Sequence, residues 1–219
     1  MTHQHANVAV VGAGIVGLAH AYLAAKSGKS VVVFERKARA GGGSARGFGL
    51  IAPISHSAGA GYQMAAASRE LWMELLQAAR LPYHPSGSLH LAYHQDELAV
   101  IREFCDAAPG LGFVCQGLDV RGVEARTQAV LTAGLLGALW SPTEVAVDPR
   151  AMLRRIPEFL AERYGVKFCF GRAVQAIDLP IIDVPRSDGG GASWTANAAI
   201  VCAGVILKRC IRKFLYAAE

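Results

Sequence analysis

The sequence lacks the features that several large classes of protein require. Its five cysteines form no CxxC pair and have no histidine at metal-ligand spacing, so no metal centre is predicted. The amino-terminal segment MTHQHAN has neither lysine nor arginine, which argues against a secretory signal peptide. An odd number of cysteines without such a signal predicts reduced thiols in a cytoplasmic protein. His3 and His5 are interpreted as part of a disordered end rather than as metal ligands.

An excess of charge of one sign is also missing. The 22 basic and 17 acidic residues leave a net charge of +5 that is dispersed except near the carboxyl end, so nucleic-acid binding is not implied. With 53% hydrophobic and 18% charged residues, the chain can bury a large globular core. Residues 8–25 are apolar except for His20, but three glycines and the absence of flanking basic anchors disfavour a membrane span.

A glycine-patterned stretch organises the chain. Residues 8–35 read VAVVGAGIVGLAHAYLAAKSGKSVVVFE, a pattern that predicts strand, tight turn, helix, turn and a second strand closed by an acid. Gly12 permits the turn, Gly14 lets the backbone approach a pyrophosphate, and Gly17 lets the helix pack on the sheet. The helix amino terminus then faces the phosphates. Glu35, 23 residues after Gly12, is placed to accept hydrogen bonds from the adenosine ribose and to repel a 2′-phosphate.

A second glycine-rich loop follows the second strand at once. Residues 41–49 read GGGSARGFG, and a plain NAD-binding unit has no need of such a loop. Its backbone N–H groups and the Ser44 hydroxyl form a concavity of the kind that binds anions, which predicts that it wraps the same dinucleotide. The alternative is a flexible surface loop.

These residues carry a family resemblance. The glycine fingerprint, Glu35 and the run GGGSARGFGLIAP resemble the FAD-dependent oxidoreductases of the D-amino-acid oxidase, glycine oxidase and sarcosine oxidase group. The run from Ser44 to Phe104 is similar to a subgroup proposed to oxidise aminophosphonates. The loop of that subgroup usually reads SxRNxG, and Gly47 stands here in place of its asparagine. The resemblance implies FAD as the cofactor.

The resemblance also implies the architecture. It predicts an α/β fold in which a Rossmann-like FAD-binding domain carries an inserted, partial antiparallel-sheet substrate domain. The FAD-binding domain takes residues 1–81 and 145–204, the substrate domain takes 82–144, and 205–219 form an atypical basic tail. Because the family runs further than this chain, the tail is interpreted as the end of a truncated or frame-shifted product. A partner- or membrane-binding helix is the alternative.

Local patterns place the other elements. Apolar residues at helical spacing predict helices over 62–79, 96–107 and 150–164, with Gln95 or Asp96 as the N-cap of the second. Short apolar runs predict strands at 135–140, 166–170 and 198–201. A turn of small residues, Cys202-Ala203-Gly204, ends the last strand and would let it approach a cofactor closely. An ordinary buried strand and turn is the alternative.

The glycine fingerprint, the second loop and the resemblance together indicate the candidate site residues. Those expected to bind FAD are Gly12, Gly14, Ile15, Val16, Gly17, Glu35, Arg36, Gly43, Ser44, Ala45, Val174, Cys202, Ala203 and Gly204, with the Val174 backbone beside the adenine. Arg46 and His56 are the catalytic candidates. Arg46 would stabilise negative charge on the reduced flavin or bind a carboxylate or phosphonate, the alternative being a surface salt bridge. For His56 the alternative is polar packing.

The implied reaction is oxidation of the C–N bond of a small amine or amino acid, an aminophosphonate included, by hydride transfer to the flavin. No side chain must act as a strong base, so the absence of a catalytic triad is no objection. Two other functions stay open: a truncated, non-catalytic FAD-binding remnant, and an NAD-dependent dehydrogenase. The expected partner is the small amine substrate, with no nucleic acid and no membrane span.

Overall fold

The computed structural model describes residues 4–185 and 191–204, which divide into two compact units. The first contains the described residues up to Phe48 and from Pro149 onward, and the second is Gly49–Asp148. The second unit includes a strand at Leu50–Ile51, which pairs inside it, and the substrate domain at residues 82–144 stays a prediction. The basic tail at 205–219 lies outside the described residues. In the described part, no helix has both the length and the apolar character that a membrane span requires.

The first unit is built on a six-stranded sheet. Its elements are β1 (Gln4–Val11), α1 (Ile15–Lys26), β2 (Val31–Glu35), a 3₁₀ helix (Gly42–Arg46), α5 (Pro149–Tyr164), β9 (Lys167–Phe170), β10 (Ala176–Asp178), β11 (Ile181–Pro185) and β12 (Gly191–Val201). The strand order is β10-β11-β12-β1-β2-β9, and β12, β1, β2 and β9 run parallel. The predicted strand-helix-strand start and the Rossmann-like sheet are confirmed.

The apolar parts of β1 and β2 reflect their place in a parallel sheet, because both faces of such a sheet are covered. Val10 of β1 pairs with Val33 of β2 and with Ile200 of β12, and both valines are fully buried. On one face, Phe34 meets Trp194 edge to face with ring centroids 5.7 Å apart, inside a cluster of buried residues. These contacts fix the register of β1, and therefore the position of the turn that follows it.

The start of β1 corrects one expectation. His5 belongs to the strand rather than to a disordered end: it pairs with Thr195, whose Oγ1 lies 3.0 Å from His5 Nδ1. The strand is longer than its apolar run because β12, about 190 residues away in sequence, supplies a long parallel partner. His3 lies outside the described residues.

Gly17 is the tightest contact between α1 and the turn before it. A methyl group added there would overlap the Gly12 carbonyl oxygen and lie 3.3 Å from a methyl carbon of Val10. We expect Gly17→Ala to lower the free energy of unfolding by about 2–3 kcal/mol, since the obstructing atom is backbone and cannot rotate away. Urea denaturation checks this, with Gly110→Ala as the control because a methyl group at Gly110 meets no atom within 4 Å. Equal stability of the two variants would contradict it.

The second unit contains two small antiparallel sheets and three helices. Its elements are β3 (Leu50–Ile51), a 3₁₀ helix (Pro53–Ser55), α2 (Ala60–Ala78), β4 (Tyr83–His84), β5 (Ser88–Ala92), α3 (Gln95–Leu111), β6 (Gln116–Leu118), α4 (Val120–Glu124), β7 (Gly137–Ser141) and β8 (Val145–Val147). The sheets have the orders β3-β8-β4 and β5-β7-β6. The predicted helices over 62–79, 96–107 and 150–164 and the strands at 135–140 and 166–170 are confirmed, with ends that differ by a few residues.

The N-cap of α3 was wrongly predicted. His94, not Gln95 or Asp96, occupies it: its side chain accepts from the backbone of Glu97, and Glu97 Oε2 accepts from the His94 N–H group at 3.0 Å. The Tyr93 N–H group also donates to Glu97, and these two backbone bonds lower the pKa of the Glu97 carboxyl. Histidine is not a common N-cap residue, so only the glutamate three positions later signals this reciprocal arrangement.

Glu144 is a fully buried acid that joins separate parts of the second unit. Its Oε1 atom accepts hydrogen bonds from the Ile54 N–H group at 3.2 Å and from the Thr143 hydroxyl at 2.9 Å. Its Oε2 atom accepts from the Ser88 hydroxyl at 3.3 Å. One carboxylate therefore holds β5, the end of β7 and the segment at Pro53–Ser55 together, as buried polar groups require.

Removing this carboxylate should weaken the second unit. We expect Glu144→Ala to lower the free energy of unfolding by about 3 kcal/mol, because buried donors would lose their acceptor. Thermal and urea unfolding measure the change. Glu124→Ala, at an exposed position in the same unit, is the control and should stay within about 0.5 kcal/mol of the parent. If Glu144→Ala lost no more stability than Glu124→Ala, the hydrogen bonds of Glu144 would not hold the unit together.

Candidate dinucleotide-binding site

The site begins at the turn where β1 ends. Gly12 has φ of +106°, which is open to glycine and disfavoured for other residues. Its N–H group donates to the Phe34 carbonyl at 2.7 Å, and a methyl group added at Gly12 would lie 3.0 Å from the Cys202 carbonyl carbon. Cys202 in turn donates its N–H group to the Val11 carbonyl at 2.7 Å. The carboxyl ends of β1, β2 and β12 thus meet at Gly12, and the close approach of the Cys202-Ala203-Gly204 turn to the cofactor stays a prediction.

The amino terminus of α1 faces the second glycine-rich loop. Gly14 is the N-cap residue, with an extended backbone and no side chain to cap the helix. The Ser44 hydroxyl supplies the acceptor instead, at 3.0 Å from the Ile15 nitrogen. A methyl group added at Gly14 would lie 3.2 Å from Ser44 Oγ. The two glycine-rich segments therefore lie together at one helix terminus, where N–H groups and the helix dipole attract an anion.

Glu35 closes the site on the side of β2. Its Oε2 atom accepts from the Ala13 N–H group at 3.0 Å and its Oε1 atom from the Lys37 N–H group at 2.9 Å. The carboxylate is therefore turned toward the glycine turn and held by two backbone donors. The sequence gives the position of Glu35 but not these donors, because any residue at positions 13 and 37 except proline provides the same N–H group.

The remaining predicted FAD-binding residues belong to the same unit. Val16 is 56% exposed on α1, and Arg36 is exposed beyond β2. Val174 packs beside the Phe34 and Trp194 cluster. The others lie in two short segments, Gly43 and Ala45 in the 3₁₀ helix and Ala203 and Gly204 just after β12. These placements are compatible with a shared site, and the contact of each residue with FAD stays a prediction.

Burial raises the pKa of the Cys202 thiol. This side chain therefore stays a neutral thiol at physiological pH, and a neutral thiol is a poor nucleophile. Cys202 contributes its backbone to the site, where the carbonyl group packs against Gly12. A small, unreactive side chain at this position suits a strand end that must lie close to a cofactor.

The two catalytic candidates fall in different units. Arg46 is exposed at the end of the 3₁₀ helix, and within the described part of the chain it forms no ion pair. The salt-bridge alternative therefore has no partner among those residues. His56 is exposed just after Pro53–Ser55, and its backbone N–H group donates to the Pro53 carbonyl at 3.1 Å. Catalytic roles for both residues stay predictions.

The geometry fits a dinucleotide. Gly12 lets the end of β12 pack against the turn, and Gly14 places no side chain at the amino terminus of α1. Ser44 adds a hydroxyl there, and Glu35 stands at the end of the neighbouring strand. This arrangement suits a pyrophosphate at the helix and ribose hydroxyls at the acid. The fold and the site define a Rossmann-like dinucleotide-binding protein.

Comparison with known proteins specifies the family. Residues 7–215 match the family model described as DAO, FAD dependent oxidoreductase. The chain belongs to this family, and FAD is its cofactor. A curated relative, the thiamine thiazole synthase of Pyrobaculum neutrophilum, is 31% identical over 188 residues, which cover 75% of this chain and 67% of the relative. The NAD-dependent dehydrogenase alternative gains no support from these matches.

Solved structures share the fold. Glycine oxidase from Geobacillus kaustophilus superposes with a TM-score of 0.83 at 21% identity, over 97% of this chain and 58% of that one. L-amino acid deaminase from Proteus vulgaris gives a TM-score of 0.79 at 21% identity, over 97% of this chain and 50% of that one. The chain therefore spans between half and three fifths of the length of these two proteins.

Proposed function

We propose that this protein is an FAD-dependent oxidoreductase that oxidises the C–N bond of a small amine or amino acid. The observation that carries the proposal is the joining of Gly14, Ser44 and Glu35 around one helix terminus, in a chain of the FAD-dependent family. The names of the glycine oxidase and amino acid deaminase with the same fold support an amino-acid substrate.

The residues of this chain have distinct tasks in the proposed reaction. The α1 terminus and the Ser44 hydroxyl hold the pyrophosphate, and Glu35 accepts hydrogen bonds from the ribose. FAD, when bound, supplies the acceptor for the hydride that leaves the carbon bearing the amine. Arg46 attracts the anionic group of the substrate, since its guanidinium has no ion-pair partner among the described residues and matches the geometry of carboxylate and phosphonate oxygens.

We further propose that aminophosphonates belong to the substrate class. The support is the resemblance of the run from Ser44 to Phe104 to the subgroup proposed to oxidise them, together with Arg46 near its start, which has no ion-pair partner among the described residues. A phosphonate carries more negative charge than a carboxylate, so an exposed guanidinium favours it. Gly47 in place of asparagine removes one side-chain donor from the same loop.

Anaerobic reduction of the bound flavin tests the substrate. The FAD-loaded chain is mixed with glycine, N-methylglycine or 2-aminoethylphosphonate, and loss of the oxidised flavin absorbance is followed. Reduction by one of these amines supports amine oxidation, and faster reduction by the phosphonate supports the finer assignment. A loaded chain that dithionite reduces but no amine reduces would instead support the non-catalytic FAD-binding alternative.

A further inference from the structure

A pair of cysteine thiols lies in the second unit, and the proposed reaction does not use it. Cys105 is on α3 and Cys115 immediately precedes β6. Both are free and partly buried, and Cys105 is close enough to Cys115 to affect the ionisation of its thiol. Gly117 of β6 also lies beside Cys105, because a methyl group added at Gly117 would be 3.8 Å from the Cys105 sulfur. Because Cys115 lies two residues before Gly117, the packing of β6 on α3 brings the two thiols close together.

The surroundings of Cys115 are apolar. Cys115 packs against a cluster of Tyr62, Ala108 and Phe113, with Phe104 at its side. The ring centroids of Tyr62 and Phe113 are 4.2 Å apart, and those of Phe104 and Phe113 are 5.1 Å apart. Within this cluster the phenol of Tyr62 is the ionisable group that α2 contributes. Such a shell admits a small uncharged oxidant far more readily than a bulky charged one such as oxidised glutathione.

The Cys115 thiol resists ionisation. Burial and the neighbouring Cys105 raise the pKa of Cys115 to about 11, so Cys115 stays protonated at neutral pH. The thiolate is the nucleophile in reactions of cysteine with peroxides. A thiol that stays protonated is a poor first nucleophile, so the first attack is assigned to Cys105 and the second step to Cys115.

We propose that Cys105 and Cys115 are a peroxide-reactive thiol pair that closes reversibly to a disulfide. The Cys105 sulfur attacks one oxygen of hydrogen peroxide, the O–O bond breaks, and a sulfenic acid and one water form. The Cys115 sulfur then attacks the Cys105 sulfur and releases the second water. The two sulfurs together lose two electrons, the peroxide gains two, and both thiol protons leave in the two waters.

The proposal does not depend on the flavin reaction. Hydrogen peroxide is formed when oxygen reoxidises a reduced flavin, which would place a source of oxidant in the same protein, but any peroxide serves. A disulfide that forms and is reduced again is also the kind found in reducing compartments. Treatment of the FAD-free chain with added peroxide therefore tests the thiol pair alone. Its failure is distinguishable from a failure of the proposed oxidoreductase activity.

Peptide mapping of the oxidised chain tests the pair. The reduced 219-residue chain is treated with a small excess of hydrogen peroxide, alkylated and digested. We expect a linked peptide that joins Cys105 to Cys115 and disappears on reduction, while Cys169 and Cys202 remain open to alkylation after unfolding. Oxidised glutathione at the same concentration should form this link at least roughly tenfold more slowly. Independent alkylation of both thiols after peroxide, or a link to another cysteine, would overturn the proposal.

Single variants test the order of attack. Cys115→Ser should stop at a sulfenic acid on Cys105, which dimedone traps, whereas Cys105→Ser should give no dimedone adduct on Cys115. Cys169→Ser is the matched control, because Cys169 is also partly buried but lies on β9 in the other unit, and it should form the link at the parental rate. A dimedone adduct on Cys115 in place of Cys105 would overturn the assignment of the attacking sulfur. Circular dichroism confirms that each variant is folded.

Discussion

Gly14→Val should leave a folded chain that no longer retains FAD. Gly14 has φ of −73° and ψ of 176°, which valine readily adopts, and its added carbon would meet only the end of the Ser44 side chain. The rest of the valine side chain would occupy the space that the pyrophosphate needs at the start of α1. We expect FAD affinity to fall about 100-fold or more, which corresponds to about 2.8 kcal/mol. Fluorescence titration with FAD measures it, and circular dichroism reports the fold.

Two further variants separate loss of the site from loss of the fold. Gly110→Val adds the same side chain on α3, where an added carbon meets no atom within 4 Å, and should bind FAD like the parent. Gly17→Ala should lose stability instead, because its added carbon meets backbone. An unchanged dissociation constant for FAD in folded Gly14→Val would show that the pyrophosphate lies elsewhere.

Glu35→Ala should weaken FAD binding by about 1.5–3 kcal/mol, the usual scale for a hydrogen bond to a charged group. The carboxylate sits at the end of β2, held by the N–H groups of Ala13 and Lys37, with its remaining lone pairs available to ribose hydroxyls. Its loss also removes the repulsion of a 2′-phosphate, so the preference for ligands without that phosphate should decrease. Isothermal titration calorimetry with FAD measures the first effect, and competition by 2′-phosphorylated and unphosphorylated adenosine diphosphate ribose measures the second.

The backbone contacts of Glu35 require a control for folding. Glu35→Gln keeps an acceptor but not the charge, so it should preserve most of the stability and lose part of the affinity. Glu158→Gln, at an exposed position of α5 in the same unit, changes the same charge and should alter neither property. A change in FAD affinity below a few tenths of a kcal/mol for Glu35→Ala would mean that the carboxylate does not meet the ribose.

The sequence predicts the part of the fold that depends on local pattern. The apolar runs at Val8–Val11 and Val31–Phe34, separated by glycines at fixed spacing, have few other interpretations. The length of β1 could not be read in this way, because His5 is added to the strand by pairing with Thr195. His94 as an N-cap was also missed, since its role depends on a reciprocal bond with Glu97 rather than on its own preference.

Some features of the candidate site also follow from local sequence pattern, and others depend on the folded chain. Gly12, Gly14 and Glu35 were predictable because a βαβ turn needs those residue types at that spacing. The bond between Ser44 and Ile15 joins two glycine-rich segments, so it needs the folded loop as well as the sequence. The burial of Glu144 could not be predicted from the sequence, because a single acid between threonine and valine resembles a surface residue. Only the structure shows its three hydrogen-bond donors.

Retention of FAD by the purified chain tests the central claim most directly. The visible absorption spectrum of the chain is recorded after purification, and the flavin-free protein is then titrated with FAD. The account predicts a bound-flavin spectrum, or its return on titration, at one FAD per chain, with affinity lost in Gly14→Val. A folded chain that neither retains nor rebinds FAD would contradict the assignment of this glycine turn, Ser44 and Glu35 as its binding site.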